Sequence, residues 1–424
     1  MAKHPEAYSS DSGDSTGEYF TTATPLHAVR PGYIRRRADH ALYEALCAGK
    51  HAHVIAPNRT GKSSLIAATS ARLQNNGFKV AVLDLAQIRD RDGGADAGRW
   101  YYSIAYRLLR QLRLKIDLQD WWQDKSILSN RQRLVEFYAE VILQHIADRV
   151  VVFVDEIQCV GDKPLAGHLL ASIRAAHNAR VTEPDFARLS FVLVGECDPL
   201  SLAPDSSVSP FAVSKEIRLA DFTRDDLETF ATELNLLSND AAIALDRIYY
   251  WTSGHPYLTQ KLARAVARER ISGNIKEHVD RIAWLAGRAA LHNEPHMSHI
   301  HRSIVNDRKN NEALLNLYGR MRKGIAVQFD PESRQQRTLL SIGLVVVEES
   351  GRLKARNRLY RAVFTARWAN ENLPLHWRGP ALVVSILLAV TAIPFGYTQL
   401  LPKPYVRVMS STESALETVH SAYV

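Results

Sequence analysis

Ala56-Pro-Asn-Arg-Thr-Gly61-Lys62-Ser63-Ser64 follows the short apolar run His51-Ala-His-Val-Ile55 and leads into a helical pattern that reaches about Asn75. Strand, glycine turn and helix in that order form a phosphate grip. The full pattern is G-x-x-x-x-G-K-[ST], and here Ala56 stands at the first glycine. Backbone N–H groups of Asn58, Arg59, Thr60 and Gly61, with the helix start at Lys62, Ser63 and Ser64, are placed to meet phosphate oxygens. Lys62 neutralises the β- and γ-oxygens, and the Ser63 hydroxyl is a magnesium ligand. Ala56 fits the pattern provided its φ is negative. ATP or ADP with Mg²⁺ is the expected cofactor.

Such a grip needs a strand ending in acid. Val150-Val-Val-Phe-Val154-Asp155-Glu156 supplies one, a run too uniformly β-branched to face solvent on either side. Asp155 is the expected holder of the magnesium shell, and Glu156 is placed to polarise the attacking water. Between the motifs lies a further strand, Val80–Leu85. Beyond them come a helix from Leu165 to Asn178, a buried strand Leu189–Val194 and a weaker strand Glu216–Leu219. Strands alternating with helices predict an α/β fold: a P-loop NTPase with a parallel sheet covered on both faces, of the additional-strand, catalytic-glutamate type. Two amphipathic helices are predicted, Trp100–Leu112 and Arg131–Ala147, with Trp121 and Trp122 in a loop between them.

The predicted organisation is a disordered tail over 1–24, the ATPase domain over 25–220 and a helical subdomain over 221–305. Asp221 or Thr223 is a candidate N-cap for a helix beginning near Asp225. A winged-helix-like module follows over 306–375: helices Glu312–Arg322 and Gln335–Ile342, strands Leu344–Val347 and Leu353–Arg356 around a Ser-Gly turn, then a helix from Tyr360 to about Asn370. Residues 379 to 402 carry no charge. At 1.5 Å per residue that stretch reaches roughly 36 Å, enough for a hydrocarbon core of about 30 Å. It predicts a transmembrane helix over 380–401, flanked by Trp377 and Arg378 on one side and Lys403 and Tyr405 on the other. The arginines before it, among them Arg358, Arg361 and Arg367, put the N-terminal domains in the cytoplasm. A short tail, 402–424, follows and is read as possibly truncated.

Bulk properties exclude some classes. Three scattered cysteines among 424 residues make neither a disulfide framework nor a CxxC knuckle. The net charge of +8 is spread thinly, which argues against nucleic acid as the main partner. His292, His296, His299 and His301 lack an HExxH arrangement, and with Pro295 among them they read as solvated loop histidines.

With these segments in place, the chain resembles the bacterial AAA-like domain family of the STAND class of signalling NTPases. The likeness is carried by Tyr33-Ile-Arg-Arg36, the phosphate grip, Arg99-Trp-Tyr-Tyr102, Phe153-Val-Asp-Glu-Ile157, Asp221-Phe-Thr223, Tyr250-Trp-Thr-Ser-Gly-His-Pro-Tyr257 and Asn357-Arg-Leu-Tyr-Arg361. The resemblance implies that Arg36 approaches the nucleotide and that Gly254-His255-Pro256 packs against it. It further implies that Asn357 and Arg358 sense its state and that Lys215 meets a phosphate. Gly195-Glu196-Cys197-Asp198 has no sensor arginine, so slow hydrolysis or plain switching is expected rather than fast turnover. The expected function is a membrane-anchored cytoplasmic ATP switch with a homo-oligomeric or signalling partner. A DNA-handling ATPase with a winged helix and a nucleotide-binding scaffold without turnover are the alternatives.

Overall fold

The computed structural model describes residues 19–20, 32–88, 97–160, 164–203, 205, 207–269, 273–288 and 294–374. Beyond these it describes only 386–388, 390, 393 and 415–416. The chain divides into two units, Met1–Asn372 and Leu373–Val424.

In the first unit five parallel strands form one sheet: β1 (Ala52–Ile55), β2 (Lys79–Asp84), β3 (Val150–Asp155), β4 (Leu189–Gly195) and β5 (Lys215–Glu216). Their order is β2-β3-β4-β1-β5. Strand β4 therefore separates the two strands that carry the motifs, and it pairs with β1 through Ile55↔Gly195 and with β3 through Val154↔Leu193. The register brings the ends of all three to one edge, where ligands of open parallel sheets collect.

The alternation of side chains along a strand explains why β3 up to Val154 and β4 apart from Ser190 read as apolar runs. Val151, Phe153, Val192 and Val194 join one core with Leu42, Leu65, Ile66 and Leu73 from the helices Arg37–Cys47 and Lys62–Asn75. Val150, Val152, Val154, Phe191 and Leu193 join the other, with Tyr101, Ile104, Phe137, Tyr138 and Ile173 from helices on the opposite face. Both faces are covered, so neither strand has a solvent-facing side.

Several local expectations are corrected. Trp121 and Trp122 lie in a helix, Leu118–Asp124, because the Asp117 carboxylate accepts from the Gln119 and Asp120 N–H groups and caps it. The helix begun at Asn130 winds into a π-helical segment at Phe137–Leu143. The last sheet strand is only Lys215–Glu216. Tyr19 and Phe20 are not loose tail: Phe20 is fully buried, edge-on to Phe230, and the Tyr19 hydroxyl donates to the Thr229 carbonyl (2.9 Å). The rest of the predicted tail lies outside the described residues.

Past the sheet, a 3-10 stretch (Asp225–Leu234) leads into helices Ser238–Thr252, Pro256–Arg268, Ile275–Arg288 and Pro295–Val305. Thr223 caps the first of these: its hydroxyl accepts from the Asp226 N–H while its own N–H donates to the Asp226 carboxylate. Helices Asn311–Arg322 and Arg334–Ile342, an antiparallel hairpin of β6 (Val345–Val347) and β7 (Leu353–Ala355), and two short helices, Arg358–Val363 and Ala366–Glu371, complete the unit. The single final helix expected from Tyr360 is thus two. They are divided where the Thr365 hydroxyl accepts from the Trp368 N–H and begins a new cap.

Most of the apolar stretch 380–401 lies outside the described residues. Of it, Ile386, Leu387, Leu388, Val390 and Ile393 are helical and more than half exposed. Among the described residues no helix is long and apolar enough to cross a membrane.

Candidate functional site

The loop after β1 closes on itself. The Thr60 hydroxyl donates to the Pro57 carbonyl (2.7 Å), and the Ala56 N–H donates to the carbonyl of Gly195 on β4 (3.1 Å). Arg59 and Gly61 take the left-handed conformation, at φ of 63° and 95°. Ala56 has no positive φ, so its methyl group is accommodated where a glycine is usual. A side chain at Gly61 would be strained in backbone and would also meet the Arg36 guanidinium, 2.8 Å from the added carbon. Gly61 then opens the helix Lys62–Asn75, whose first N–H groups have no partner within the helix.

Lys62 is buried at the base of this loop, its ammonium donating to the Ala56 and Pro57 carbonyls, both at 2.9 Å. Burial pulls its pKa below that of an ordinary lysine. Glu196, Glu156 and Asp155, in that order, oppose the shift. The Asp155 carboxyl is pushed the other way, to about 6, chiefly by burial, although the Glu156 N–H donates to it (2.9 Å). Glu156 and Asp84 add to the rise. A carboxylate this poorly compensated, on the strand end beside the loop, suits a cation. Among the described residues no cluster of three or more His, Cys, Asp or Glu could hold a metal by itself. Asp155 and Ser63 are the two positions that the loop motif and the acid-ended strand mark for such a cation.

Glu156 sits at φ 57°, a left-handed conformation that costs a non-glycine residue about 1 kcal/mol or more. Its carboxylate accepts from the Gln158 carboxamide, whose oxygen in turn accepts from the Glu196 N–H at the end of β4 (2.9 Å). Gly195 makes room for that bridge: a side chain there would stand 2.5 Å from Ile157 and 2.6 Å from the Gln158 oxygen.

Arg36 lies behind the loop, donating to the carbonyls of Thr60 (2.8 Å) and Ala220 (3.2 Å), with its guanidinium over the Phe222 ring. The helical part reaches the loop from the other side. Gly254 (φ 76°) is pressed so close to Phe222 that an added side chain would lie 1.9 Å from the Phe222 carbonyl oxygen. His255 and Pro256 are both buried at the start of the helix Pro256–Arg268, and His255 Nδ1 accepts from the Leu258 N–H. Burial, with Arg356 and His296 nearby, holds His255 far below an ordinary histidine, hence neutral. One residue on, the Tyr257 ring carries the Arg59 guanidinium 5.0 Å from its centroid. Gly343 is packed against Pro57 so tightly that an added carbon would fall 2.5 Å from the Pro57 ring.

Two salt bridges and one histidine–carboxylate approach tie the sheet's loop edge to the C-terminal helices and hairpin. Arg356 grips Asp221 with two hydrogen bonds (2.9 and 2.6 Å), Arg337 donates to Asp198 (2.8 Å), and His299 Nε2 stands 3.4 Å from the Glu196 carboxylate. Asp198, Glu196, Gln158, Arg337 and Arg356 had no motif to announce them, and Asp221 was singled out only in the Asp221-Phe-Thr223 segment and as a candidate cap, not as an ionic partner. Their only signal was a cluster of acids at strand ends and basic residues 100 or more positions later.

Asn58, Arg59, Thr60, Gly61, Lys62, Ser63, Ser64, Asp155, Glu156 and Arg36 therefore surround one edge of the sheet, with His255 and Pro256 adjoining it through Tyr257. Other expectations fail. Lys215 is exposed and pairs beside Ala52, at the start of β1, whereas the loop leaves its far end. Three residues of strand, about 10 Å, intervene. Asn357 is a helix cap, accepting from the Tyr360 N–H (2.8 Å), and Arg358 stacks on Tyr250 (3.9 Å). His296, His299 and His301 are not loop residues, since Pro295 begins a helix rather than breaking one. His296 is buried and hydrogen-bonded to the Tyr360 hydroxyl (2.6 Å), and His301 accepts from the Trp368 indole (3.2 Å). His292 lies outside the described residues.

Residues 22–366 match the model of the AAA-like domain family. A WD repeat-containing protein of Synechocystis sp., itself named as uncharacterised, is 31% identical over 362 residues; the match takes in 82% of this chain and spans only 30% of that protein's length. A Walker-type ATPase of Pyrococcus abyssi superposes with a TM-score of 0.56 at 15% identity, over 82% of this chain and 99% of the other. The ORC2 protein of Aeropyrum pernix, solved with ADPNP and ADP, gives a TM-score of 0.47 at 15% identity, over 83% of this chain and 97% of the other.

Proposed function

The chain belongs to the AAA-like domain family, and on that premise we propose that it is a membrane-anchored ATP-binding switch of the STAND signalling type with slow magnesium-dependent hydrolysis. The observation that carries this reading is the position of Lys62: a buried ammonium at the base of a phosphate-type loop, faced by Glu196, Glu156 and Asp155. An ammonium in such a place is matched to the charge of a polyphosphate.

In this mechanism the loop amides and Lys62 hold the terminal phosphates, and Ser63 and Asp155 hold magnesium, which when bound screens the charge on the transferred group. Glu156 accepts hydrogen bonding from the attacking water and takes its proton as the water oxygen bonds to the terminal phosphorus and the bond to the bridging oxygen breaks. The segment Gly195–Asp198 carries no arginine of its own, and the Arg337 guanidinium that reaches it is engaged by Asp198, which suits a slow cycle. The contacts of Arg356, Arg337, His299, Tyr257 and Gly343 on the loop edge make the helical part the natural reader of nucleotide state. The uncharged stretch 379–402 is the basis for the membrane anchor, with the N-terminal domains cytoplasmic.

Calorimetric titration of ATP and Mg²⁺ into the native chain and Lys62→Ala tests the reading. Binding by the native protein with a loss of about a hundredfold or more in the variant is expected for a buried charge-assisted contact. Equal affinities overturn it.

A further inference from the structure

We propose that Gln158 is a positioning residue for hydrolysis, setting the Glu156 carboxylate through a carboxamide bridge to the end of β4; the inference rests on the hydrolytic reading of Glu156 above. Two residues past Glu156, Gln158 lies in the turn Ile157–Val160 that follows β3. Its amide nitrogen donates to the Glu156 carboxylate, while its oxygen accepts from the Glu196 backbone N–H at 2.9 Å. One planar group thus spans two strand ends, and its orientation is fixed because each half has only one compatible partner. A carboxylate here can accept but not donate, so the amide nitrogen must face Glu156.

The surroundings are built for this bridge. The backbone at Glu156 is left-handed, which turns the side chain off the direction that a continuing strand would give it. Gly195 leaves open the space that the Gln158 oxygen and Ile157 occupy, and any side chain there would collide with both. The far anchor is not a bare strand end: the Glu196 side chain is itself nearly buried and meets His299 of the helix Pro295–Val305. Gln158 acts on the reaction only through Glu156. It holds the carboxylate where the attacking water must stand, and a displacement of about 1 Å in such a group costs about a hundredfold in rate.

Two variants of the full chain separate this role from simple packing. Gln158→Met fills the space but neither donates nor accepts. Gln158→Glu keeps the shape and the acceptor for the Glu196 N–H, but loses the donor to Glu156. Phosphate release is measured for both beside the native chain and Glu156→Gln, with affinity for ADP followed by calorimetry. The expected result is a fall in kcat of about tenfold or more in both Gln158 variants, with KM and ADP affinity within about threefold of native. If Gln158→Glu turns over at the native rate, the inference fails, whether or not Gln158→Met folds. A parallel loss of ADP affinity would also overturn it by making the role structural. If the native chain releases no phosphate, or Glu156→Gln releases it at the native rate, the hydrolytic reading falls first and the inference with it.

Discussion

Replacing Asp155 with Asn should make the nucleotide-free protein more stable while removing its response to magnesium. Asp155 is the last residue of β3 and half-buried, and the pKa of its carboxyl group rises from 3.8 to about 6 in the folded chain. At 1.36 kcal/mol per unit, that rise is a penalty of about 3 kcal/mol on the folded state wherever the carboxylate is ionised. The sign follows from proton counts. Between 3.8 and 6 the folded chain holds the proton and the unfolded chain has released it, so stability falls as pH rises through this window and is level above it. Asparagine keeps an oxygen to accept from the Glu156 N–H (2.9 Å) and carries no charge. Lys62 loses one of three facing acids, which offsets part of the gain, so the net expectation is about 1–3 kcal/mol near pH 8. Urea melts of the native chain and Asp155→Asn without divalent ions measure it. The gain should halve near pH 5, fall to about a fifth near pH 4 and vanish by about pH 3. Adding Mg²⁺ with ATP should raise the native midpoint and leave the Asp155→Asn midpoint where ATP alone puts it. A gain that is absent near pH 8, or as large near pH 4, refutes the burial argument. An undiminished magnesium response in the variant refutes the assignment of Asp155 as a ligand.

Gly254→Ala should be among the most damaging single-atom additions in the chain, because the new carbon would lie 1.9 Å from the Phe222 carbonyl oxygen at φ 76°. A loss of about 3 kcal/mol or more in chemical denaturation is expected, and a loss under about 1 kcal/mol would mean the turn relaxes freely. Arg356→Ala leaves Asp221 without its paired cation, the two side chains being 8% and 22% exposed. A cost of about 3–5 kcal/mol is expected, and much of it should be recovered in the double variant with Asp221→Asn. On the acid side, His51 and His296 are each held at about 3 by burial, against 6.5 unfolded. The unfolded chain therefore takes up protons first, so stability drains away as pH falls from about 6.5 toward 3, opposite in sign to Asp155. His51→Gln, which keeps an acceptor for the Phe191 N–H, should flatten that acid limb in melts read by circular dichroism.

Much of the fold could be read along the chain because the physics was local. The uniformly apolar, largely β-branched run Val150–Val154 marks a strand buried on both faces, and it is. The spacing of Gly61, Lys62 and Ser63 after an apolar strand fixes a phosphate-type loop, since a helix opened by a left-handed glycine aims its free N–H groups one way. What failed was local too, but finer: two tryptophans suggested a loop where an aspartate cap made a helix, and a proline read as an interruption was the first residue of one.

The sequence by itself determined the parallel sheet, the loop and the acid pair, because each follows from a periodicity or spacing within some ten residues. Only the tertiary structure decided who meets that edge. Arg356 and Asp221 are 135 positions apart, Arg337 and Asp198 139, and Gln158 and the Glu196 N–H 38. None of these pairs is tied by a local pattern; they meet because β4 is inserted between β1 and β3 and the C-terminal helices fold back over the strand ends. Lys215 shows the converse, a basic residue beside the right strand in sequence that the sheet's direction puts at the wrong end.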